Sequence, residues 1–344
     1  MAAATVAAQS TADSLLGFIA ANKSRSSIYL VKNDTVLAKL NENTMMPLAS
    51  TVKIRIAIEF AKQAAAGIVN SNSYVALSDL DKFYIPNTDG NAHPQWLKYE
   101  KSIGHVKNDS IQLINVARGM IMFSSNANTE YLIDLLGFDN VKNNATSLGV
   151  RQHSAVFPIV SSLFIYQNPF SKKEEAVIKG IKSLSEEEYC KISVGILYHL
   201  KNDSGFKNKF RPQDLTMKMQ KVWSDRLPAS TTKEYVLICK ILNNRRFFDK
   251  DTYDIIAKVL ETVMENPANK TWLKHAGMKG GSTAWVLTKA LYGTTVAGTK
   301  IEMAYFFNNL TMQENAKLQG WMNQFELETL SSDIFRQKIS TMLK

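Results

Sequence analysis

The stretch 271–310 reads TWLKHAGMKGGSTAWVLTKALYGTTVAGTKIEMAYFFNNL. Three apolar, β-branched and aromatic runs stand out in it, at 273–278, 283–292 and 300–307, separated by Gly280-Gly281 and by Gly293-Thr294-Thr295. Runs of this length between turn-forming residues predict consecutive antiparallel strands. Near the opposite end of the chain, Ser27-Ile28-Tyr29-Leu30-Val31 and Thr35-Val36-Leu37-Ala38 flank Asn33-Asp34, the signature of a hairpin. Helical spacing dominates everything between, over 50–67, 111–123, 128–136, 174–200, 233–242 and 252–265, and it also covers the opening 11–21 and the tail 312–344. Strands at both ends with helices between predict an α+β architecture, in which one antiparallel sheet is assembled from both chain ends. The sheet-containing part would comprise 11–51 and 270–344, an all-helical insertion 52–269, and a cleft would lie between them.

Composition agrees with a globular enzyme-sized chain. The 344 residues are 45% hydrophobic and 21% charged, enough to bury a core without disulfide or metal staples, which excludes disorder and cystine scaffolds. No run approaches the roughly 18 apolar residues of a membrane span. The net charge of +10 is scattered, its densest clusters being pairs such as Lys172-Lys173 and Arg245-Arg246, so nothing reads as a nucleic-acid-binding arm. A basic protein near an anionic cell wall fits the same balance. Cys190 and Cys239 form no CxxC and read as buried thiols, and the five histidines form no metal-binding motif, so neither metal nor other cofactor is expected. The first ten residues lack the basic and apolar segments of a signal peptide, as at the start of a mature chain.

Chemistry concentrates in three places. Ser50-Thr51-Val52-Lys53 is an SxxK at the start of a predicted helix, where a lysine one turn on reaches the serine hydroxyl. Burial would lower the amine pKa enough to accept that proton, and the helix N-terminus favours developing negative charge. Taken alone, the motif also fits a capping serine and a surface lysine. Ser124-Ser125-Asn126 follows the apolar Met120-Ile121-Met122-Phe123 and offers a hydroxyl and an amide two residues apart. Lys279-Gly280-Gly281-Ser282-Thr283 joins a cation to exposed backbone N–H groups at a strand edge, suited to an oxyanion and an anionic substrate group.

SxxK, SxN and KxG in this order resemble the motif set of class A β-lactamases and penicillin-binding proteins. The lead-in Pro47-Leu48-Ala49-Ser50 and the later Pro228-Ala229-Ser230-Thr231-Thr232-Lys233 fit that family's course, so the resemblance covers nearly the whole chain. It implies Ser50 as acylated nucleophile, Lys53 as its proton acceptor and Ser124 as proton relay to the leaving group. Asn126 would bind the substrate's amide side chain, Lys279 would attract its carboxylate, and Gly281, Ser282 and Thr283 would line the binding site. The oxyanion hole would be the backbone N–H groups of Ser50 and Ser282.

Three departures stand against the pattern. Ser125 replaces the usual aspartate, which predicts looser support of the second motif. Gly280 replaces the usual threonine or serine of the third, removing a hydroxyl for which Ser282 or Thr283 would have to substitute. Most consequentially, 141–173 contains no Asp or Glu, so the family's water-activating loop glutamate is missing, and the apolar 156–170 reads as a wall or as core. The expectation is a serine acyl-hydrolase acting on a carboxylate-bearing lactam, amide or ester, with slow release of penicillins. A D-alanyl-peptide hydrolase or esterase, or a binding protein that kept the fold, remains the alternative. The partner would be a small-molecule substrate or cell-wall material, and the compartment periplasmic or extracellular.

Overall fold

A computed structural model describes residues 10–167 and 173–344. The N-terminal stretch discussed above, except Ser10, and Phe170 and Lys172 lie outside the described residues. Five strands, β1 (Ser26–Lys32), β2 (Thr35–Leu40), β3 (Leu273–Ser282), β4 (Leu287–Thr295) and β5 (Lys300–Phe307), form one sheet in the order β2-β1-β5-β4-β3. All four neighbouring pairs are antiparallel, with Ile28 opposite Tyr305, Ala304 opposite Ala290 and Lys289 opposite Gly280. The sheet thus joins the two chain ends, and β3, with the third motif, is one of its two edges.

The alternation of side chains across the sheet sorts its residues into two cores. On one face Leu30, Leu291, Met303 and Tyr305 pack with α1 (Thr11–Ala21), α6 (Met312–Ser331) and α7 (Asp333–Met342) through Leu15, Leu16, Leu318, Phe325 and Ile339. On the other face Ala290, Tyr292, Ala304 and Phe306 belong to a larger core with α2 (Lys53–Ala65), α3 (Asn126–Leu136) and α5 (Thr232–Asn244). A shorter helix, α4 (Met217–Asp225), lies in the same helical part. No helix among the described residues is long and apolar enough to cross a membrane. Cys190 and Cys239 are buried free thiols.

The structure revises several boundaries. The expected helix over 174–200 is two, Glu174–Ser183 and Glu186–Asn202, because Ser185 starts the second with a capping box to Glu188. The tail divides similarly at Ser332, the N-cap of α7. Gly280 and Gly281 do not interrupt a strand but lie within β3, which runs on to Ser282.

Candidate active site

Ser50 sits in a 3-10 turn, Ala49–Val52, that leads directly into α2. The turn is fastened from both sides. Leu48 N–H donates to the Pro228 carbonyl at 2.9 Å, and Met46–Pro47 pairs with Ala229–Ser230 as a short ladder. From the sheet, Thr288 Oγ1 lies 2.7 Å from the Leu48 carbonyl and 2.8 Å from Thr51 Oγ1. Gly281 explains its own identity here. A Cβ on it would stand 2.4 Å from Ser50 N and 2.6 Å from the Leu48 carbonyl oxygen, so only glycine lets the edge strand approach the nucleophile's backbone this closely.

One cleft of about 660 Å³ is lined by Ser50, Ser124, Asn126, Lys279, Gly281, Ser282 and Thr283 among others. Lys53 lies beneath it, completely buried. Its Nζ donates to the Ser124 carbonyl and to Asn126 Oδ1, both at 2.7 Å, and stands 3.3 Å from Ser124 Oγ. Lys279 Nζ approaches the same hydroxyl at 3.0 Å and donates to the Gly280 carbonyl at 2.7 Å. Ser124 is therefore flanked by two lysine amines. It holds that place with φ +68°, a left-handed conformation that disfavours side chains by roughly 1–2 kcal/mol. Ser50 Oγ makes no hydrogen bond to protein among the described residues, so Lys53 does not bond it directly.

Electrostatics favours neutral amines here. Burial pushes Lys53 down to about 7, opposed by the carboxylates of Asp89 and Glu130. Burial likewise holds Lys279 well below the usual lysine range, reinforced by the positive charges of Lys53 and Lys289. With Lys53 neutral, its two N–H groups serve the two short contacts and its lone pair is left for a hydroxyl proton.

Other residues carry parts that sequence reasoning did not assign. Ser125 gives firm support rather than loose. Its hydroxyl pairs with His93 Nδ1 at 2.9 Å and donates to Asn128 Oδ1 at 3.0 Å, within a buried network. Asp89, on the cleft rim, accepts the N–H groups of Ala92 and His93 and so caps the helix Ala92–Ser102. Of 156–163, only Ile159 lines the cleft, while Val156, Phe157, Val160 and Leu163 are core. Trp223 on α4 lines the cleft too, and its Nε1 donates to Ser162 Oγ at 2.9 Å. The carboxylate that touches this segment comes from α3. Glu130 accepts from Val160 N at 2.8 Å and from Ser161 Oγ at 2.5 Å, and burial pushes it up to about 7 despite these donors. Glu174 is remote from the cleft, in a surface groove beside Lys218.

Known structures share this architecture. A class A β-lactamase from Bacteroides cellulosilyticus is 17% identical, with a TM-score of 0.53 over 94% of this chain and 98% of that one. A β-lactamase from Sphaerobacter thermophilus is also 17% identical, with a TM-score of 0.56 over 93% and 97% of the two chains. A point mutant of PBP-A, solved as an acyl-enzyme complex with penicillin G, is 13% identical, with a TM-score of 0.54 over 97% and 94%. No curated protein matches the sequence. The model of the beta-lactamase enzyme family, in contrast, matches from residue 10 to residue 253, well over half of the chain. A match of that extent, ending beyond both the Ser50 and the Ser124 motifs, places the chain in the beta-lactamase enzyme family.

Proposed function

We propose that this member of the family is a serine acyl-hydrolase working through an acyl-Ser50 intermediate on carboxylate-bearing lactams, amides or esters. The observation that carries the reading is the Ser124 hydroxyl standing between two buried lysine amines, at 3.3 Å from Lys53 and 3.0 Å from Lys279, in the cleft that Ser50 lines. Lys53 takes the Ser50 proton as Oγ attacks the carbonyl carbon, and the backbone N–H groups of Ser50 and Ser282 receive the oxyanion. When the scissile bond breaks, Ser124 passes its proton to the leaving nitrogen or oxygen and is reprotonated by the Lys53 ammonium, which returns the proton taken from Ser50. Asn126 and the Gly281–Thr283 rim hold the substrate. This work belongs in the periplasm or outside the cell, where such substrates occur.

Release is the weaker half. Water must attack the acyl-Ser50 carbonyl and surrender a proton, yet 141–173 contains no carboxylate and, among its described residues, Ile159 is the one that lines the cleft. The same observation favours a second reading, a penicillin-binding protein that acylates and scarcely turns over. Intact mass after exposure to a fluorescent penicillin tests the proposal. A single adduct on the wild type, absent from Ser50→Ala, supports acylation, and the absence of both an adduct and Ser50-dependent hydrolysis refutes it. A burst near one equivalent followed by a slow steady state supports slow release. Fast hydrolysis without adduct overturns that part alone.

A further inference from the structure

The groove that holds Glu174 is a second cavity, of about 700 Å³, between the helix Glu174–Ser183 and α4. The two helices run side by side in the same direction. At their N-terminal ends Lys218 reaches Glu174 at 3.3 Å. At the other ends Arg226, just past α4, donates to the Ile181 and Leu184 carbonyls at 3.1 and 3.0 Å. Five cationic and three acidic side chains line the groove, with Ile178 and Val222 as its apolar part. The acids are unevenly placed. Glu174 and Glu175 sit at the N-terminal end, so further along Lys179, Lys182 and Lys221 meet a single carboxylate, Asp225, which Lys221 already holds at 2.5 Å. Lys179 and Lys182 form no ion pair among the described residues, and both are exposed.

Three features select a ligand. The cations are strung along the groove and do not converge on one point. Lys179 and Lys182 are separated by about 4.5 Å along their helix axis, three residues at a rise of about 1.5 Å, which suits a linear polyanion over a single ion. The unpaired cations are lysines, whose compact ammonium meets phosphate oxygens from any side. The one guanidinium, the fork that matches carboxylates, is spent on two carbonyls. No aromatic ring lines the groove among the described residues, so nucleobases have nothing to stack on.

We propose that this groove binds a base-free phosphodiester polymer, a polyol-phosphate chain, and so holds the protein on an anionic envelope surface. The net charge of +10 draws such a chain from a distance, and the groove gives it a place to lie. Groove and active-site cleft share one helix. Gln220 and Trp223 line the cleft from the other side of α4, and Ser224 Oγ stands 2.6 Å from Thr283 Oγ1. A chain in the groove therefore lies about one helix diameter, roughly 10 Å, from the cleft. The proposal concerns where the protein sits, and it stands or falls independently of Ser50.

The test is fluorescence anisotropy of an end-labelled glycerol-phosphate hexamer titrated with the full chain, at about 50 mM and about 200 mM salt. Wild type should bind, and more weakly at the higher salt. Lys179→Gln with Lys182→Gln should weaken binding about ten-fold at the lower salt, as expected of two exposed charge contacts, and reduce the slope of log K against log salt by about one. Asp225→Asn, which frees Lys221, should tighten binding about three-fold. Lys101→Gln with Lys317→Gln removes the same charge from exposed lysines elsewhere and should leave the affinity within about two-fold of wild type. Thermal melts matching wild type certify the fold of each variant. No binding by wild type at the lower salt, equal losses from the two double variants, or no gain from Asp225→Asn overturns the site. A thymidylate hexamer, or an oligogalacturonate of equal charge, that binds as tightly as the glycerol-phosphate chain overturns the assignment of its ligand.

Discussion

At Ser124 two lysine amines stand within 3.3 Å of one hydroxyl, and one of them is also held at 2.7 Å by an amide and a carbonyl oxygen, while the segment 156–163 presents the same cleft with the side chain of Ile159 alone. The two regions correspond to the two halves of an acyl-transfer cycle. Forming the acyl-enzyme needs a base, a relay and an oxyanion site beside the nucleophile, and buried polar groups of that kind persist only when fully hydrogen-bonded. Hydrolysing it needs a group that prepares water, and an apolar wall gives none. The difference shows that the fold permits one half to be equipped without the other.

The largest expected effect tests the equipped side. Lys53→Met should lower the rate constant for Ser50 acylation by about 10²–10⁴-fold, the usual worth of general-base assistance. Stopped-flow mixing with a fluorescent penicillin reads this directly, and a thermal melt controls for the acceptors left behind on Ser124 and Asn126. A loss of less than ten-fold would mean that another group takes the proton. Next comes the apolar side. Ile159→Glu puts a carboxylate where that segment meets the cleft, and adduct lifetime should shorten by roughly 10²-fold. An unchanged lifetime, measured by mass spectrometry after rapid quench, would show that water approaches the acyl group from elsewhere.

A smaller effect concerns the seam between sheet and nucleophile. Gly281→Ala drives a methyl to 2.4 Å from Ser50 N, and backbone has to move. Overpacking of this sort costs about 1–3 kcal/mol, readable as a lowered Tm, and the displaced Ser50 should acylate more slowly. Wild-type stability and rate would mean that the edge strand is not fixed against the turn.

Much of this is legible in the residues themselves. The hairpin around Asn33-Asp34 and the last strand, 300–307, appear where periodicity places them, and the three motifs converge on one cleft. Glycine is ambiguous in sequence, because the same residue ends a strand or permits close approach, and Gly280-Gly281 read as a break although both lie within β3 and Gly281 serves the second purpose. Glu130 leaves no local signal. It reads as a polar residue of an amphipathic helix, and only the return of 160–161 to α3 reveals a buried carboxylate with waiting donors.

Glu130 is also where the two regions meet, and it carries the subtlest prediction. It lies one turn beyond Asn126 on α3, so the same helix that receives the Lys53 amine fastens the apolar wall. Lys53 accepts a proton from Ser50 only when neutral. With its pKa held at about 7, acylation should rise with pH through an ascending limb near neutrality. The Glu130 charge raises the Lys53 pKa, so Glu130→Gln, which removes that charge but keeps an acceptor for Val160 N, should move the limb to lower pH. The sign is what matters. On the limb itself, where Glu130, pushed up to about 7, is still partly ionised, the variant should acylate faster than wild type; well above and well below the limb the two should agree. Acylation rates measured from about pH 5 to about pH 9 in one buffer series, at constant ionic strength, decide it. A limb that stays in place would show that the carboxylate's field does not reach Lys53. A limb displaced to higher pH would mean that loosening the 156–163 segment, rather than losing a charge, dominates the change.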